Sequence, residues 1–577
     1  MVQASFRIRL ISILVTLLAA GFIGRLFFIQ IVHGAEFSEI ATKRFIAVNP
    51  LDFDRGSIFF SERDGTLISA AARKEYYRIA INPSELVDPE ATYQALSRIA
   101  TTSRGLFMES TLRYNDPYEE VGITYDPEIS KKIQELDIDG LSTYRGYQRY
   151  YPAGSRAAHV LGFLGYTSES GDERVGRYGI EQYYNDQLVR RDHASKINVF
   201  AEVFAQAQLG ISAPTDSFDV ITTIEPTVQS YLEFELLLLH ETYRTDRVGG
   251  IIIDPKTGAV VAMAAVPTFD PNNFKDVPGP EVYINPLVEH VYELGSVIKP
   301  LTIAAGLDAK VITPATTYDD TGSRTIDGYT ISNYDGRARN TVPIQEILNQ
   351  SLNIGTVFVA EKLGEDLFRE YFNRYRLGRT TGIELPGETS GLTDNLSSDR
   401  FIERATASFG QGIAMSPIAF VQALTALAND GAMVRPRIVK ALRYLDGTVE
   451  EKEPIVMGLP IRPETADVIT RMLVNVVDDA LLGGSVSLKE YSIAAKTGTA
   501  QIAKPGGGYY DDRYLHSFFG YFPAYDPRFL VFLYASEPKD ELYASHTLTT
   551  PFMNLVTFLL NYYEIPPDRG QAPTMVY

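Results

Sequence analysis

The stretch YELGSVIKPLTIAAGLDA, residues 292–309, places a serine and a lysine three positions apart where an apolar helical pattern begins. Side chains three positions apart on a helix share one face and lie within reach of each other. A serine hydroxyl becomes a strong nucleophile when a base removes its proton, and an uncharged lysine can act as that base. Ser296 and Lys299 are therefore a candidate nucleophile and base, and an ordinary helix N-terminus is the alternative.

An uncharged lysine needs a special environment. Lowering the pKa of a lysine from about 10.4 to near 7 costs roughly 4 to 5 kcal/mol, which burial and a second nearby cation can supply. A second lysine in the same site would therefore strengthen the assignment. The chain contains another Ser-x-x-Lys at Ser536 to Lys539, but Pro538 and the preceding strand pattern predict a surface turn there.

A second polar pair follows in EILNQSLNIGTV, residues 346–357, between two amphipathic helical stretches. The hydroxyl of Ser351 could relay a proton, and the amide of Asn353 could orient a substrate. The alternative is that Asn353 only caps the following helix, which is a common role for asparagine.

Two Lys-Thr-Gly triplets complete the candidate groups. The first, residues 256–258, joins two apolar runs and is predicted to be a solvated turn between strands. The second consists of Lys496, Thr497 and Gly498, and it is followed by Thr499 on a predicted strand. The missing side chain at Gly498 would let a substrate lie against the backbone. The lysine and the two hydroxyls offer charge-assisted binding to a carboxylate.

Composition excludes several classes of function. The net charge of −19 gives no electrostatic basis for binding nucleic acid. The chain has no cysteine, and its seven histidines lack the spacing of zinc ligands, so no metal and no cofactor is expected.

The N-terminus predicts a membrane anchor. The 23 residues Leu10–Val32 carry one charge, Arg25, and reach about 34 Å as a helix, enough to cross a bilayer. Arg7 and Arg9 precede the apolar run, so the short tail should stay in the cytoplasm. A cleaved signal peptide is the alternative. Both interpretations place the rest of the chain outside the cytoplasm.

A length of 577 residues predicts several domains. We expect a cytoplasmic tail and transmembrane anchor over 1–34, and an elongated, mainly β-containing pedestal over 35–220. Residues 221–577 should form an α+β or α/β domain, because strands flank a helical middle. The expected fold class is thus multidomain α+β or α/β, with a sheet flanked by helices in the last domain.

The ordered set Ser-x-x-Lys, Ser-x-Asn and Lys-Thr-Gly is typical of penicillin-recognising serine enzymes. With it, nearly the whole chain resembles the class B penicillin-binding proteins, the D,D-transpeptidases of bacterial peptidoglycan synthesis. Further similar stretches are RGSI (55–58), RYYPAGSRAAHVLGF (149–163), YGIEQYYNDQL (178–188), TGIELPGE (381–388), SFGQGIAMSP (408–417) and HSFFGYFP (516–523). Leu294 departs from the family, which usually has proline there, and FFSERDG is looser than the usual turn.

The resemblance implies a role for each candidate residue. Ser296 would attack the penultimate D-Ala of a stem peptide, with Lys299 as the base. Ser351 would relay a proton to the leaving amine, and Asn353 would position the substrate and the lysine. The substrate carboxylate would bind at Lys496, Thr497 and Thr499, with Gly498 beside it. The backbone N–H groups of Ser296 and Thr499 would form the oxyanion hole.

The resemblance also implies partners and a location. The partners would be peptidoglycan stem peptides, β-lactams as inhibitors, the membrane, a polytopic glycan polymerase and divisome proteins. The protein would be a single-pass protein of the inner, cytoplasmic membrane with its catalytic domain on the extracytoplasmic side. A septal, FtsI-like role is preferred over an elongation role. A penicillin-binding sensor, a non-catalytic scaffold and a serine β-lactamase are the remaining alternatives, and no residue matches the water-activating base of a β-lactamase.

Overall fold

The structure is a computed structural model that describes residues 55–166, 174–190 and 217–570, together with scattered, mostly helical residues between 13 and 28. Most of the predicted span Leu10–Val32 lies outside the described residues. Within the part that is described, no helix is both long enough and apolar enough to cross a bilayer. The membrane anchor therefore stays a prediction.

From residue 55 onward, the described residues form twenty strands and fifteen α-helices. The strands β1 to β20 are Ile58–Ser61, Leu67–Ile81, Glu119–Thr124, Leu141–Tyr150, Phe163–Tyr166, Arg174–Arg177, Phe218–Thr222, Arg247–Ile253, Val260–Val266, Thr317–Asp320, Ser323–Ile326, Tyr329–Ser332, Asn340–Pro343, Met433–Val434, Val439–Tyr444, Val449–Glu451, Val456–Gly458, Ala494–Ala503, Tyr509–Phe522 and Phe529–Ser536. The helices α1 to α15 are Pro89–Ser97, Arg104–Ser110, Pro127–Gln134, Ala158–Leu161, Gly179–Tyr183, Asn185–Leu188, Pro226–Tyr243, Lys299–Asp308, Gln345–Asn349, Asn353–Arg374, Phe401–Ala407, Pro417–Thr425, Pro463–Asn475, Ala544–Thr547 and Thr549–Tyr562.

The chain forms two compact units. Among the described residues, the first is built mainly from Arg73–Tyr150, and the second contains Gly56–Ala72, Tyr151–Val189 and residues 217–570. These units divide the predicted 35–220 module between them. The boundaries 1–34, 35–220 and 221–577 remain predictions about domains.

The first unit combines antiparallel strands with three short helices. Strand β2 pairs with β3, with Ile79 opposite Gly122. Helix α1 begins where Asp88 accepts a hydrogen bond from the Ala91 N–H and Pro89 occupies the first turn, two features that favour a helix start. The small core of this unit consists of Ile79, Ile81, Leu96, Ala100, Phe107, Val121 and Ile133.

The second unit is organised around an antiparallel five-stranded sheet with the order β18-β19-β20-β8-β9. Side chains alternate across β20, as the period-2 geometry of a strand requires. Phe532 faces a core shared with α12, where its ring lies 5.7 Å from that of Phe420. Val531 and Leu533 face a second core shared with α7 and α15. The prediction of a sheet flanked by helices is confirmed.

Three segments bring polar groups to the edge of this sheet. A 3₁₀-helix, Gly295–Ile298, leads directly into α8. The turn between α9 and α10 carries Ser351. Helix α10 is interrupted at Gly364, whose φ of 70° is not helical. Strand β18 lies at one edge of the five-stranded sheet, and it carries the second Lys-Thr-Gly triplet.

Candidate active site

The candidate nucleophile lies in a tight turn. Ser296 is the second residue of the 3₁₀-helix Gly295–Ile298, and Lys299 begins α8. Residues three apart in a 3₁₀-helix are nearly eclipsed, so Ser296 and Lys299 project from the same side. Gly295 has a φ of 65°, a left-handed conformation that favours glycine. Ser296 is half-buried, whereas Lys299 is fully buried.

The nucleophile turn, which consists of Leu294 and the 3₁₀-helix Gly295–Ile298, packs tightly against β18. The buried hydroxyl of Ser517 donates to the Leu294 carbonyl at 2.8 Å and lies 3.3 Å from the Gly498 carbonyl. A Cβ added to Gly498 would lie 2.5 Å from Ser517 Oγ and 2.8 Å from the Leu294 oxygen. The missing side chain at Gly498 therefore makes room for the protein's own backbone. We expected it to make room for a substrate, and its role in substrate binding stays a prediction.

Ser517 is a site residue that the sequence reasoning missed. Its polar side chain stands in the otherwise apolar and aromatic run SFFGYF, and it is fully buried. A buried polar side chain in such a run must find a hydrogen-bond partner inside the protein. This requirement could have identified Ser517 from the sequence as a residue with a structural role.

Lys299 is held by three oxygen atoms. Its Nζ donates to the Ser351 carbonyl at 2.6 Å and to Asn353 Oδ1 at 2.8 Å, and it lies 3.3 Å from Ser351 Oγ. The Asn353 Nδ2 group donates to the Ser332 carbonyl at 2.9 Å. This second bond turns the Asn353 oxygen toward the lysine. The structure thus brings together Lys299, Ser351 and Asn353 as the sequence predicted.

The alternative role for Asn353 is wrong. Asn353 is the first residue of α10, and the capping position is Leu352, which has no side-chain capping bond. Ser351 adopts a left-handed conformation with a φ of 55°. Such a conformation is unfavourable for a residue with a side chain and persists only where its surroundings hold it. Here the bond from Lys299 to the Ser351 carbonyl contributes to that restraint.

The two lysines of the site have lowered pKa values. Burial lowers the pKa of Lys299 well below its ordinary value, and the charge of Lys496 lowers it further. Burial lowers the pKa of Lys496 to about 7. These are the two causes that the sequence reasoning required for a lysine base. The environment therefore favours the uncharged form of Lys299, which is the form that can accept a proton.

The predicted carboxylate-binding groups lie along β18. Lys496 Nζ donates to the Thr497 carbonyl at 2.9 Å. Thr499 Oγ1 accepts a hydrogen bond from the Ala544 N–H at 3.1 Å. The next strand supports the Ala544 segment, because the buried His516 contacts the Leu542 carbonyl at 3.0 Å and Thr547 Oγ1 at 2.9 Å. Burial lowers the pKa of His516 to about 4, so it is neutral at physiological pH.

One cavity of about 870 Å³ joins these groups. Six of the predicted residues line it, namely Ser296, Ser351, Asn353, Lys496, Thr497 and Thr499. Lys299, which is fully buried, and Gly498 are not among the lining residues. Among the described residues that line the cavity, none is an aspartate, a glutamate or a histidine. In the described ranges, no group of three such side chains or cysteines is arranged to hold a metal ion.

Glu384, Glu388 and Glu293 are not among the described lining residues, and each accepts hydrogen bonds. Glu384 accepts from the Ile438 N–H at 2.9 Å and pairs with Arg435. Glu388 accepts from the Thr381 and Gly382 N–H groups at 2.6 and 2.9 Å. Glu293 accepts from the Tyr509 hydroxyl at 2.9 Å, and burial raises its pKa.

The other copies of the two motifs, the first Lys-Thr-Gly and the second Ser-x-x-Lys, lie outside the cavity. Lys256 is on the turn between β8 and β9, where it forms an ion pair with Asp526. Ser536 ends β20, and Lys539 lies on the turn after it, 3.6 Å from the Glu537 carboxylate. The turn interpretation is confirmed for residues 256–258. In the second stretch the turn begins only after Ser536, which is a buried strand residue.

Comparison with known families gives two matches. Residues 248–556 match the family described as "Penicillin binding protein transpeptidase domain". Residues 52–212 match the family described as "Penicillin-binding Protein dimerisation domain".

Individual relatives agree with these matches. Stage V sporulation protein D of Bacillus subtilis is 29% identical over 558 residues, covering 95% of this chain and 84% of the relative. Peptidoglycan D,D-transpeptidase FtsI of Buchnera aphidicola is 25% identical over 553 residues, covering 92% of each chain. The crystal structure of Penicillin Binding Protein 2X from Streptococcus thermophilus has a similar fold, with a TM-score of 0.73, 20% identity and coverage of 89% of this chain and 80% of that one.

More than half of the chain matches the transpeptidase family, and the three motifs of that family meet at one cavity. The chain therefore belongs to the class B penicillin-binding proteins and is a D,D-transpeptidase, as its sequence predicted.

Proposed function

We propose that this enzyme cross-links peptidoglycan stem peptides through an acyl-enzyme at Ser296. The uncharged amine of Lys299 takes the hydroxyl proton while Ser296 Oγ attacks the carbonyl carbon of the penultimate D-Ala. The backbone N–H groups of Ser296 and Thr499 stabilise the oxyanion, each worth about 10² to 10³ in rate. When the peptide bond breaks, the proton passes through Ser351 to the leaving amine, and the terminal D-Ala departs.

The second half of the reaction resolves the ester. The amine of a neighbouring stem peptide attacks the acyl carbon, the Ser296 oxygen leaves, and the amine proton returns to it through Lys299. Lys496, Thr497 and Thr499 bind the carboxylate of the donor stem before it is cleaved. Asn353 holds the Lys299 amine in place.

The observation that carries this proposal is the environment of Lys299. It is fully buried, it is held by Ser351 and Asn353, and its pKa is lowered by burial and by Lys496. A non-catalytic scaffold would have no need to keep a buried lysine held only by neutral oxygen atoms, because burying such a group is costly. The absence of carboxylates among the described lining residues argues against a β-lactamase, which needs a base to activate water.

Labelling with a fluorescent penicillin, followed by mass spectrometry of the modified peptide, tests the assignment. We expect one covalent adduct on the peptide that contains Ser296. Ser296→Ala should abolish the label, and Ser536→Ala should keep it, because Ser536 lies at the end of β20 and does not line the cavity. Undiminished labelling of Ser296→Ala would refute the proposal.

A septal role is the preferred cellular role. The similarity to a protein named FtsI and the RYYPAG region support it. The similarity to a sporulation protein does not distinguish a septal role from an elongation role, so the test is where the protein localises. A fluorescent fusion of the full chain should concentrate at the division septum, and uniform labelling of the side wall would favour an elongation role.

The same proposal includes a membrane location and partners. The apolar run Leu10–Val32 supports a single-pass anchor in the inner membrane with the catalytic unit on the extracytoplasmic side. β-Lactams would act as inhibitors by acylating Ser296. A polytopic glycan polymerase and divisome proteins are the expected protein partners, since a transpeptidase acts on newly made glycan strands.

A further inference from the structure

The first two residues of α10 are held by two consecutive residues of a distant segment. The Asn353 side chain donates to the Ser332 carbonyl at 2.9 Å, and the Ile354 N–H donates to Asn333 Oδ1 at 3.2 Å. Asn353 is the residue whose oxygen accepts from Lys299. The Ser332–Asn333 pair therefore lies one hydrogen bond away from the group that holds the catalytic lysine.

Asn333 supplies the cap that α10 lacks locally. The first N–H groups of a helix have no partner inside the helix, and a nearby side chain usually accepts from them. The capping residue Leu352 has no suitable side chain. The oxygen of Asn333, which is 3% exposed, takes this place from across the fold.

Asp320 determines which way the Asn333 amide points. The fully buried Asp320 carboxylate accepts from Asn333 Nδ2 at 2.8 and 3.0 Å, and it also accepts from the Arg339 N–H at 3.2 Å. A carboxylate accepts only, so it fixes the NH₂ side of the amide toward itself. The amide oxygen is then left facing Ile354.

We propose that Asn333, oriented by Asp320, is a positioning residue for serine acylation. It fixes the N-terminus of α10, so that Asn353 Oδ1 and the left-handed Ser351 keep the Lys299 amine in place for the Ser296 proton. Asn333 lines the cavity, and its effect on acylation passes through Asn353. A small displacement of a catalytic group can slow a reaction by about 10²-fold.

A double-mutant cycle on the full chain separates this role from a general effect on folding. The readout is the rate constant of acylation by penicillin, measured for Asn333→Ala, Asn353→Ala and the double variant. We expect Asn333→Ala to slow acylation by about 10²-fold. The double variant should be no slower than Asn353→Ala alone, because both changes remove the same restraint. Acylation of Asn333→Ala at the wild-type rate would overturn the proposal. A double variant whose loss of rate equals the product of the two single losses would overturn it as well.

Exchanging the two side chains provides a rescue. In the pair D320N with N333D, the carboxylate at 333 accepts from Ile354, and the amide at 320 donates to it while accepting from Arg339. Acylation should return to within about threefold of wild type, whereas N333D alone places two buried carboxylates together and should stay slow. If Asn333→Ala does not fold, the variant that carries both D320N and N333D still tests the proposal. Slow acylation by this variant in its folded state would contradict the proposal.

Glu225→Ala is the matched control. Glu225 is buried and caps α7 by accepting from the Val228 N–H, but it does not line the cavity. It should lower thermal stability as Asn333→Ala does, with acylation by the folded protein within about twofold of wild type. An equal loss of acylation in both variants would identify a general folding effect and overturn the proposal.

Discussion

The two Lys-Thr-Gly triplets have the same residues and opposite environments. In the first, Asp254 organises the turn by accepting from the Lys256 N–H at 2.8 Å and from the Thr257 hydroxyl at 2.8 Å. Lys256 is exposed and paired with Asp526. In the second, Lys496 is buried, and its pKa falls to about 7 because of burial.

The difference shows that a short motif has no chemistry of its own. A solvated lysine on a turn contributes little to binding or stability. A buried lysine on an edge strand becomes part of a site because the surrounding elements remove its water and place other groups beside it. Here those elements are the nucleophile turn and the start of α10.

The largest expected effect comes from removing the base beside the second triplet. Lys299→Ala should slow acylation by penicillin by about 10² to 10⁴, the range for a positioned general base. The turn that holds the first triplet has no second lysine beside it that could act as a base. Acylation is followed by stopped-flow fluorescence at fixed pH. A loss below tenfold would mean that Lys299 is not the base.

The next effect contrasts the two lysines directly. Lys496→Ala should slow acylation by about 10² to 10³, the cost of losing one electrostatic donor in an active site. Lys256→Ala should leave acylation within error and change the free energy of unfolding by less than about 0.5 kcal/mol. Chemical denaturation measures the second quantity. Equal losses of activity in the two variants would show that the comparison is wrong.

Replacing the glycine of each triplet with alanine should affect acylation in one case and stability in the other. Gly498→Ala would press a Cβ against Ser517 and the Leu294 carbonyl, so acylation should fall by about 10²-fold as β18 moves away from the nucleophile turn. Gly258→Ala has a φ of 73° and a Cβ only 2.1 Å from the Arg435 carbonyl, so it should cost more than about 1 kcal/mol of stability. The folded Gly258→Ala protein should acylate normally, and slow acylation there would contradict this account.

The smallest effect is a dependence on pH. Lys496 binds a carboxylate when it is charged, and its pKa in the free enzyme is about 7, so the second-order acylation rate should fall up to tenfold per pH unit above that value. Lys299 has the opposite effect on the pH dependence. It is a base only above its own lowered pKa, so its contribution makes the acylation rate rise with pH through that value. Lys496→Arg should react more slowly but lose the alkaline limb, since arginine stays charged. An unchanged limb in Lys496→Arg would assign it to another group.

The sequence predicted the parts of the site that local patterns encode. The Ser-x-x-Lys spacing predicted Ser296 and Lys299 on one face of a helix, and the structure has them in a 3₁₀-helix and at the start of α8. Apolar runs around residues 256–258 identified a hairpin. Motif order also predicted that Ser351, Asn353 and Lys496 belong to the same site, and the cavity contains all three.

The missing parts depend on contacts between distant segments. Asp320 and Asn333 act on α10 through hydrogen bonds across a fold that no local period encodes. Ser517 and Gly498 take their roles from the close approach of β18 to the nucleophile turn. A sequence pattern reports burial and secondary structure, whereas these roles require knowing which strand lies next to which turn.

The lifetime of the penicilloyl-enzyme tests the central claim most directly. The described lining of the cavity contains no carboxylate that could activate water, so the ester at Ser296 should wait for an amine. Intact-mass spectrometry after a short exposure to penicillin should show the adduct persisting for many minutes, and donor stem peptides should transfer to added amines in preference to water. Release of penicilloate within seconds would contradict the account and favour a hydrolase.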